Sequence, residues 1–150
     1  MGIFSENTES KLNELLERTY DSEKGFKKAA ENVENSQLKE FFNNKALERL
    51  TFRSELRKEL KANGCDIKED SGSIKGALHR TWMDTKALFY NENEEAILEE
   101  VRNGEKAALN DYDDILADNQ LPPTTENILR TQRNTIQSSY NKADYLEAIQ

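Results

Sequence analysis

Apolar side chains recur every three or four residues through four long stretches of this chain, and little inside those stretches would break a helix. Leu12, Leu15, Leu16, Thr19, Phe26, Ala30 and Val33 share one face at the helical period, which predicts a helix over about 7–33. Leu38, Phe41, Phe42, Phe52, Leu56 and Leu60 predict a second over about 36–62, with Ser36 as its N-cap and Asn63-Gly64 as its stop. Ile97, Leu98, Val101, Ala108, Leu109, Tyr112, Ile115 and Leu116 line a helix over about 94–118. Leu129, Ile136, Tyr140 and Ala143 face inward from a last helix over about 124–148. A shorter helix over about 74–90, capped by Ser73, places Ile74, Leu78, Trp82, Thr85 and Phe89 on one side. Arg80 and Asp84 lie on its other side, spaced to pair.

The four long helices have about 25 residues each, roughly 37 Å at 1.5 Å per residue. Asn35-Ser36 and Leu121-Pro122-Pro123 leave room only for tight turns, so the first two and the last two helices pair as antiparallel hairpins. Residues 65–72 form a polar connection, and Asn91-Glu92-Asn93 ends the helix that follows it. The expected fold is all-α: a single domain over 1–150, a four-helix bundle of two antiparallel hairpins joined by a crossover helix.

Composition narrows the function classes. Only 35% of residues are hydrophobic, yet their regular spacing argues for helices with solvated outer faces rather than for disorder. A net charge of −8, with both signs mixed along the chain, disfavours binding to nucleic acid or to an anionic membrane surface. No apolar run approaches bilayer length, and MGIFSENTES lacks signal-peptide architecture, so a cytoplasmic location is expected. The single cysteine, Cys65, cannot form an intramolecular disulfide, and with neither a basic residue nor a histidine directly beside it in sequence it is expected to be an inert loop residue.

Glu23 and Glu105 interrupt the apolar stripes of the first and fourth predicted helices in similar settings, Ser22-Glu23-Lys24-Gly25-Phe26 and Gly104-Glu105-Lys106-Ala107-Ala108. A carboxylate on a core face must be paired, protonated or metal-bound. In an antiparallel hairpin, residues equidistant from the turn face each other, so Glu23 should face about residues 45–49 and Glu105 about 133–137. On a helical wheel Lys45 and Arg49 fall near the centre of the second helix's apolar stripe, and Glu48 roughly 80° off it. The inward positions opposite Glu105 are Gln132, Ile136, Ser139 and Tyr140, which include no acid and no histidine.

The stretch Ser71-Gly72-Ser73-Ile74-Lys75-Gly76-Ala77-Leu78-His79-Arg80-Thr81-Trp82-Met83-Asp84 resembles the signature of a bacterial family of ferritin-like four-helix-bundle proteins known as a domain of unknown function. Ala96-Ile97-Leu98 and Gly104-Glu105 follow at similar distances, and the resemblance covers nearly the whole chain. His79, Arg80, Trp82 and Asp84 carry that signature. The resemblance implies the ferritin-like fold and no particular activity.

Di-iron members of the wider ferritin-like superfamily place a lone Glu on the first and third core helices and a Glu-x-x-His on the second and fourth. Glu23 and Glu105 match the lone-glutamate positions, but the second and fourth core helices lack the motif. The only histidine, His79, belongs to the crossover helix. Iron and manganese sites of this kind need carboxylate and imidazole, and two cations at their centre would repel a divalent ion. The expectation is a degenerate metal site in which Glu23 and Glu105 are neutralised by Lys45 and Arg49, with no cofactor.

The resulting functional expectation is a non-enzymatic bundle serving as a binding or structural module, with a stress-related role and a homodimer as its natural setting. The alternative is a di-metal carboxylate protein that oxidises or stores iron, or binds manganese, at Glu23, Glu48 and Glu105. His79 beside Trp82 and Asp84 has no nucleophile placed against it by sequence, so no catalytic residues are expected. Leu47 and Leu50 point away from the main stripe, and are expected to lie under the crossover helix or else to meet a partner. Tyr145 and Ile149 read as surface residues.

Overall fold

A computed structural model of the chain describes residues 4–68, 94–118 and 120–148. The expected helix over 74–90, with His79, Arg80, Trp82 and Asp84, lies outside the described residues, as does Ile149. The described residues are all-helical with no strand. Four helices form a four-helix bundle: α1 (Glu6–Asn32), α2 (Ser36–Ala62), α3 (Glu94–Leu116) and α4 (Pro123–Ala148).

Local chemistry sets the helix ends. Ser5 caps α1 by accepting a hydrogen bond from the Thr8 amide at 3.1 Å, and Glu6 and Glu9 place negative charge in the first turn. The cap of α2 is Asn35 rather than the expected Ser36. Its Oδ1 accepts from the amides of Gln37 and Leu38, and Ser36 is already helical. An asparagine side-chain carbonyl can accept from both exposed amides at once.

Asn63 and Gly64 end α2 as expected. Gly64 has φ 78°, the Cys65 amide donates to Leu60 O and the Gly64 amide to Lys61 O, the bond pattern of a Schellman cap. Pro123 opens α4, where its missing N–H costs no helical bond.

Helix α1 packs against α2 and α3, and α4 packs against the same two, so α2 and α3 are diagonal neighbours, as are α1 and α4. The pairs Arg18–Asp111 and Lys11–Asp114, with Thr8–Asp118 just past the end of α3, run along α1 and α3 in opposite senses, so these helices are antiparallel. Gln132 with Phe52, and Thr125 with Glu59, set α4 antiparallel to α2 in the same way. Helices α2 and α3 therefore run parallel.

The two ends of α2 and α3 are tied down differently. Past α2, Asn13 donates through Nδ2 to Asp66 O at 2.9 Å and accepts through Oδ1 from the Lys68 amide at 2.8 Å. At the opposite end of the bundle, Glu94 at the start of α3 accepts from the amides of Glu34 and Asn35.

Among the described residues the core is not continuous. One apolar cluster holds Leu12, Leu16, Phe52, Leu56, Leu60, Tyr112, Ile115, Leu129 and Ile136, joined by Phe4, Cys65 and Ile67 from outside the helices. The other holds Phe26, Ala30, Val33, Leu38, Phe42, Ile97, Leu98, Val101, Ala143 and Leu146. Between them lies a layer of buried polar side chains at mid-height.

Candidate functional site: a buried polar layer

Each helix contributes to this layer from a position where its apolar stripe is interrupted. Helix α1 supplies Thr19, Asp21 and Ser22, α2 supplies Arg49, α3 supplies Glu105 and α4 supplies Gln132 and Ser139, all buried. The helical period that carries Leu38, Phe42, Phe52 and Leu56 inward carries Arg49 inward with them.

Arg49 and Glu105 form the centre. Arg49 Nη1 donates to Glu105 Oε1 at 2.8 Å and Nη2 to Oε2 at 2.5 Å, with each residue only 1% exposed. This is the bidentate fork that a planar guanidinium makes with a carboxylate. The guanidinium also lies over Phe26 at 5.1 Å and Phe52 at 5.8 Å from the ring centres. Those rings belong to the two separate apolar clusters, so the cation sits between them. Burial by itself works against the charge on Arg49, but Glu105, with help from Glu48, outweighs it and holds the guanidinium above its ordinary pKa.

A neutral network adjoins the pair. Tyr112 donates its hydroxyl to Gln132 Oε1 at 2.7 Å, and Gln132 Nε2 donates to Phe52 O and Glu55 Oε1 at 3.3 and 3.1 Å. Burial pushes the Tyr112 phenol well above its usual pKa, so it stays a proton donor. Beside the pair, between α1 and α3, lies a cavity of about 30 Å³ lined in part by Thr19, Asp21, Ser22, Gly104, Glu105 and Tyr112. That volume has room for one water.

The four residues singled out in sequence are divided by the fold. Arg49 and Glu105 are joined directly. Lys45 donates to Glu48 Oε2 at 3.1 Å, and both residues are half-buried. The other Glu48 oxygen, Oε1, stands 3.7 Å from Arg49 Nε, too far for a hydrogen bond. Glu23 is half-buried on α1, and its Oε1 is enclosed without a hydrogen-bond partner.

These residues do not fit a di-metal centre. Both oxygens of Glu105 are taken by the Arg49 guanidinium, and Lys45 holds one oxygen of Glu48. Among the described residues, no group of three or more His, Cys, Asp or Glu is arranged to hold a metal ion. A fixed cation a bond's length from the carboxylate also opposes a second one there.

Two anchoring residues carried no sequence signal of their own. Glu59 Oε2 accepts from Thr124 Oγ1, Thr125 Oγ1 and Asn63 Nδ2, tying the end of α2 to the start of α4. Asn13, buried on α1, holds the segment after α2. Each has partners more than fifty residues away, and only the positions of polar residues on or beside an apolar stripe hinted at them.

Leu47 is 64% exposed and Leu50 42%; the crossover helix expected over them lies outside the described residues. Tyr145 is exposed, as expected. Cys65 is a loop residue but a buried one, and its thiol is pushed up to about 11, chiefly by burial.

Among the described residues, fold and site together define an all-α four-helix bundle whose core is divided by a buried ion-paired layer. Within that class, the chain belongs to the family described as a domain of unknown function, DUF2383, whose profile matches residues 7–118. The match spans α1, α2 and α3 and stops before α4, although α4 supplies Leu129, Ile136, Ala143 and Leu146 to the core. A comparison with curated proteins finds no match. Among the described residues, no helix is long and apolar enough to cross a membrane.

Proposed function

We propose that this protein is a non-enzymatic ferritin-like bundle, a binding or structural module in which an ion pair has taken the place of a di-metal centre. The observation that carries the reading is the Arg49–Glu105 fork at the bundle centre. Glu105 stands where a ferritin-like metal protein would offer a lone carboxylate, and here both of its oxygens serve a guanidinium. Parallel α2 and α3, with the end of α2 and the start of α3 at opposite ends of the bundle, support the single-crossover topology of that fold. The acidic balance of the chain supports partners other than nucleic acid.

Aerobic reconstitution with ferrous ion, followed by desalting and elemental analysis, tests this. Metal should remain far below one ion per chain, with no ferroxidase turnover. Two irons per chain with turnover, lost on Glu105→Ala, would instead make the protein a di-iron carboxylate enzyme.

A further inference from the structure

We propose that the outward face of α2 is a self-complementary interface on which a second copy of this chain docks with its own α2 antiparallel. The face is defined by the helical period: residues within about 60° of Leu47 on the wheel form one continuous stripe. At its middle are the exposed leucines, Leu47 and Leu50. Around them stand Asn43, Asn44, Thr51 and Ser54, all exposed and all uncharged. In a chain with 33% charged residues, this stripe runs for several turns without a charge, though charged residues such as Glu55 flank it.

Charge returns only at the ends of that stretch, with Glu40 on one side and Lys58 on the other, both exposed. Their midpoint in sequence coincides, to within one residue, with that of Leu47 and Leu50. A two-fold axis through this point sets Leu47 against the partner's Leu50, and Asn43 against the partner's Ser54. It also sets Glu40 against the partner's Lys58, and Lys58 against the partner's Glu40. A two-fold interface requires this self-complementarity, because each patch meets its own copy reversed. A parallel pairing would place like charges together at both ends, so the charges select the antiparallel one.

The contact is small. One helical face of this length covers roughly 400 Å² per copy, below the ~800 Å² per partner of a standard interface, so the dimer is weak and reversible. The net charge of −8 on each copy opposes association, and salt screens that repulsion. The uncharged middle of the stripe adds none of its own.

Sedimentation equilibrium of the full chain over a wide concentration range tests the proposal. The weight-average mass should climb from the 17.3 kDa monomer toward twice that value. Leu47→Glu with Leu50→Glu should weaken association by about tenfold or more, with helical circular dichroism confirming that the bundle is retained. Glu40→Lys alone and Lys58→Glu alone should each weaken the dimer, and the two together should restore it, because the swap rebuilds both end pairs. A wild-type chain that stays monomeric throughout would overturn the proposal, whether another part of the chain or a different protein covers the face. Dimerisation indifferent to the leucine changes would place the interface elsewhere, and failure of the charge swap to rescue would rule out the antiparallel register. The metal content of the bundle has no bearing on any of these outcomes.

Discussion

Arg49 of α2 and Glu105 of α3 meet across the diagonal of the bundle, joined by two parallel hydrogen bonds at the level where the apolar core is interrupted. Neither helix is the other's principal packing neighbour, so the contact is made by side-chain reach and not by close approach of the backbones. Desolvating two charges is costly, and the fork, the flanking rings and the enclosing clusters offset that cost only while both partners are present. The pair is therefore a point of vulnerability more than a reserve of stability.

Arg49→Met should destabilise the protein by about 3–5 kcal/mol, since it strands the Glu105 carboxylate in the core. Combining it with Glu105→Leu should recover much of that loss, giving strong coupling in a double-mutant cycle. Glu23→Leu combined with Arg49→Met should be close to additive, because Arg49 is bonded to Glu105 and not to Glu23. Urea unfolding of the variants measures all three. An Arg49→Met protein with the wild-type midpoint would refute the buried-pair account.

Cys65 should be a poor nucleophile in the folded protein. Its thiol is raised from an ordinary 9.0 to about 11 by burial, with Glu9 adding to the effect, so little thiolate exists near neutral pH. Reaction with a disulfide reagent at about pH 8 should be slow, and should speed up on unfolding. By linkage, the protonated thiol favours the fold. Its contribution is intact below 9.0 and is lost as pH rises toward about 11. Cys65→Ser should flatten stability across that window.

Glu59 should make the α2–α4 end sensitive to acid. Partial burial works against its charge, but hydrogen bonds from Thr125, Thr124 and Asn63 prevail and hold its carboxyl below the usual range. A depressed carboxyl stabilises the fold above its unfolded pKa, and that contribution disappears as pH falls through its folded value. Glu59→Gln should lower stability at neutral pH by about 1 kcal/mol, solvent screening keeping the effect modest. The gap from wild type should close in acid. Thermal melts of both proteins across the acid range decide it.

Asn13→Ala should free the segment that follows α2. The change removes the donor to Asp66 O and the acceptor for the Lys68 amide, at a cost of about 1–3 kcal/mol. Hydrogen exchange at Lys68 should accelerate well before the centre of α2 is affected. Uniform acceleration along the chain would show that Asn13 supports the whole bundle and not this clamp.

Much of the architecture could be read from spacing. Leu12, Leu16, Phe42, Leu56, Leu98, Tyr112 and Ile136, placed inward by period, are all buried, and the breaks between α1 and α2 and between α3 and α4 fall where breakers interrupt the pattern. The spacing also turned Arg49 and Glu105 toward the core. It was less decisive for short-range competition: Asn35 and Ser36 are both good caps, and only the backbone shows that Asn35 takes the position.

The partners of the polar residues belong to the tertiary structure. Hairpin equidistance sets Glu23 near the 45–49 turn of α2, but it says nothing of diagonal contacts, and it is on the diagonal that Arg49 meets Glu105. Lys45 and Glu48 satisfy each other within one turn of their own helix, a choice available only once neither is drawn fully inside. Glu59 and Asn13 find their partners more than fifty residues away. Periodicity is a property of one helix, so the sequence alone determines which face each helix buries. Pairing depends on how four helices are set around a common axis, and a charge in the core takes whichever partner that setting brings within a hydrogen bond's length.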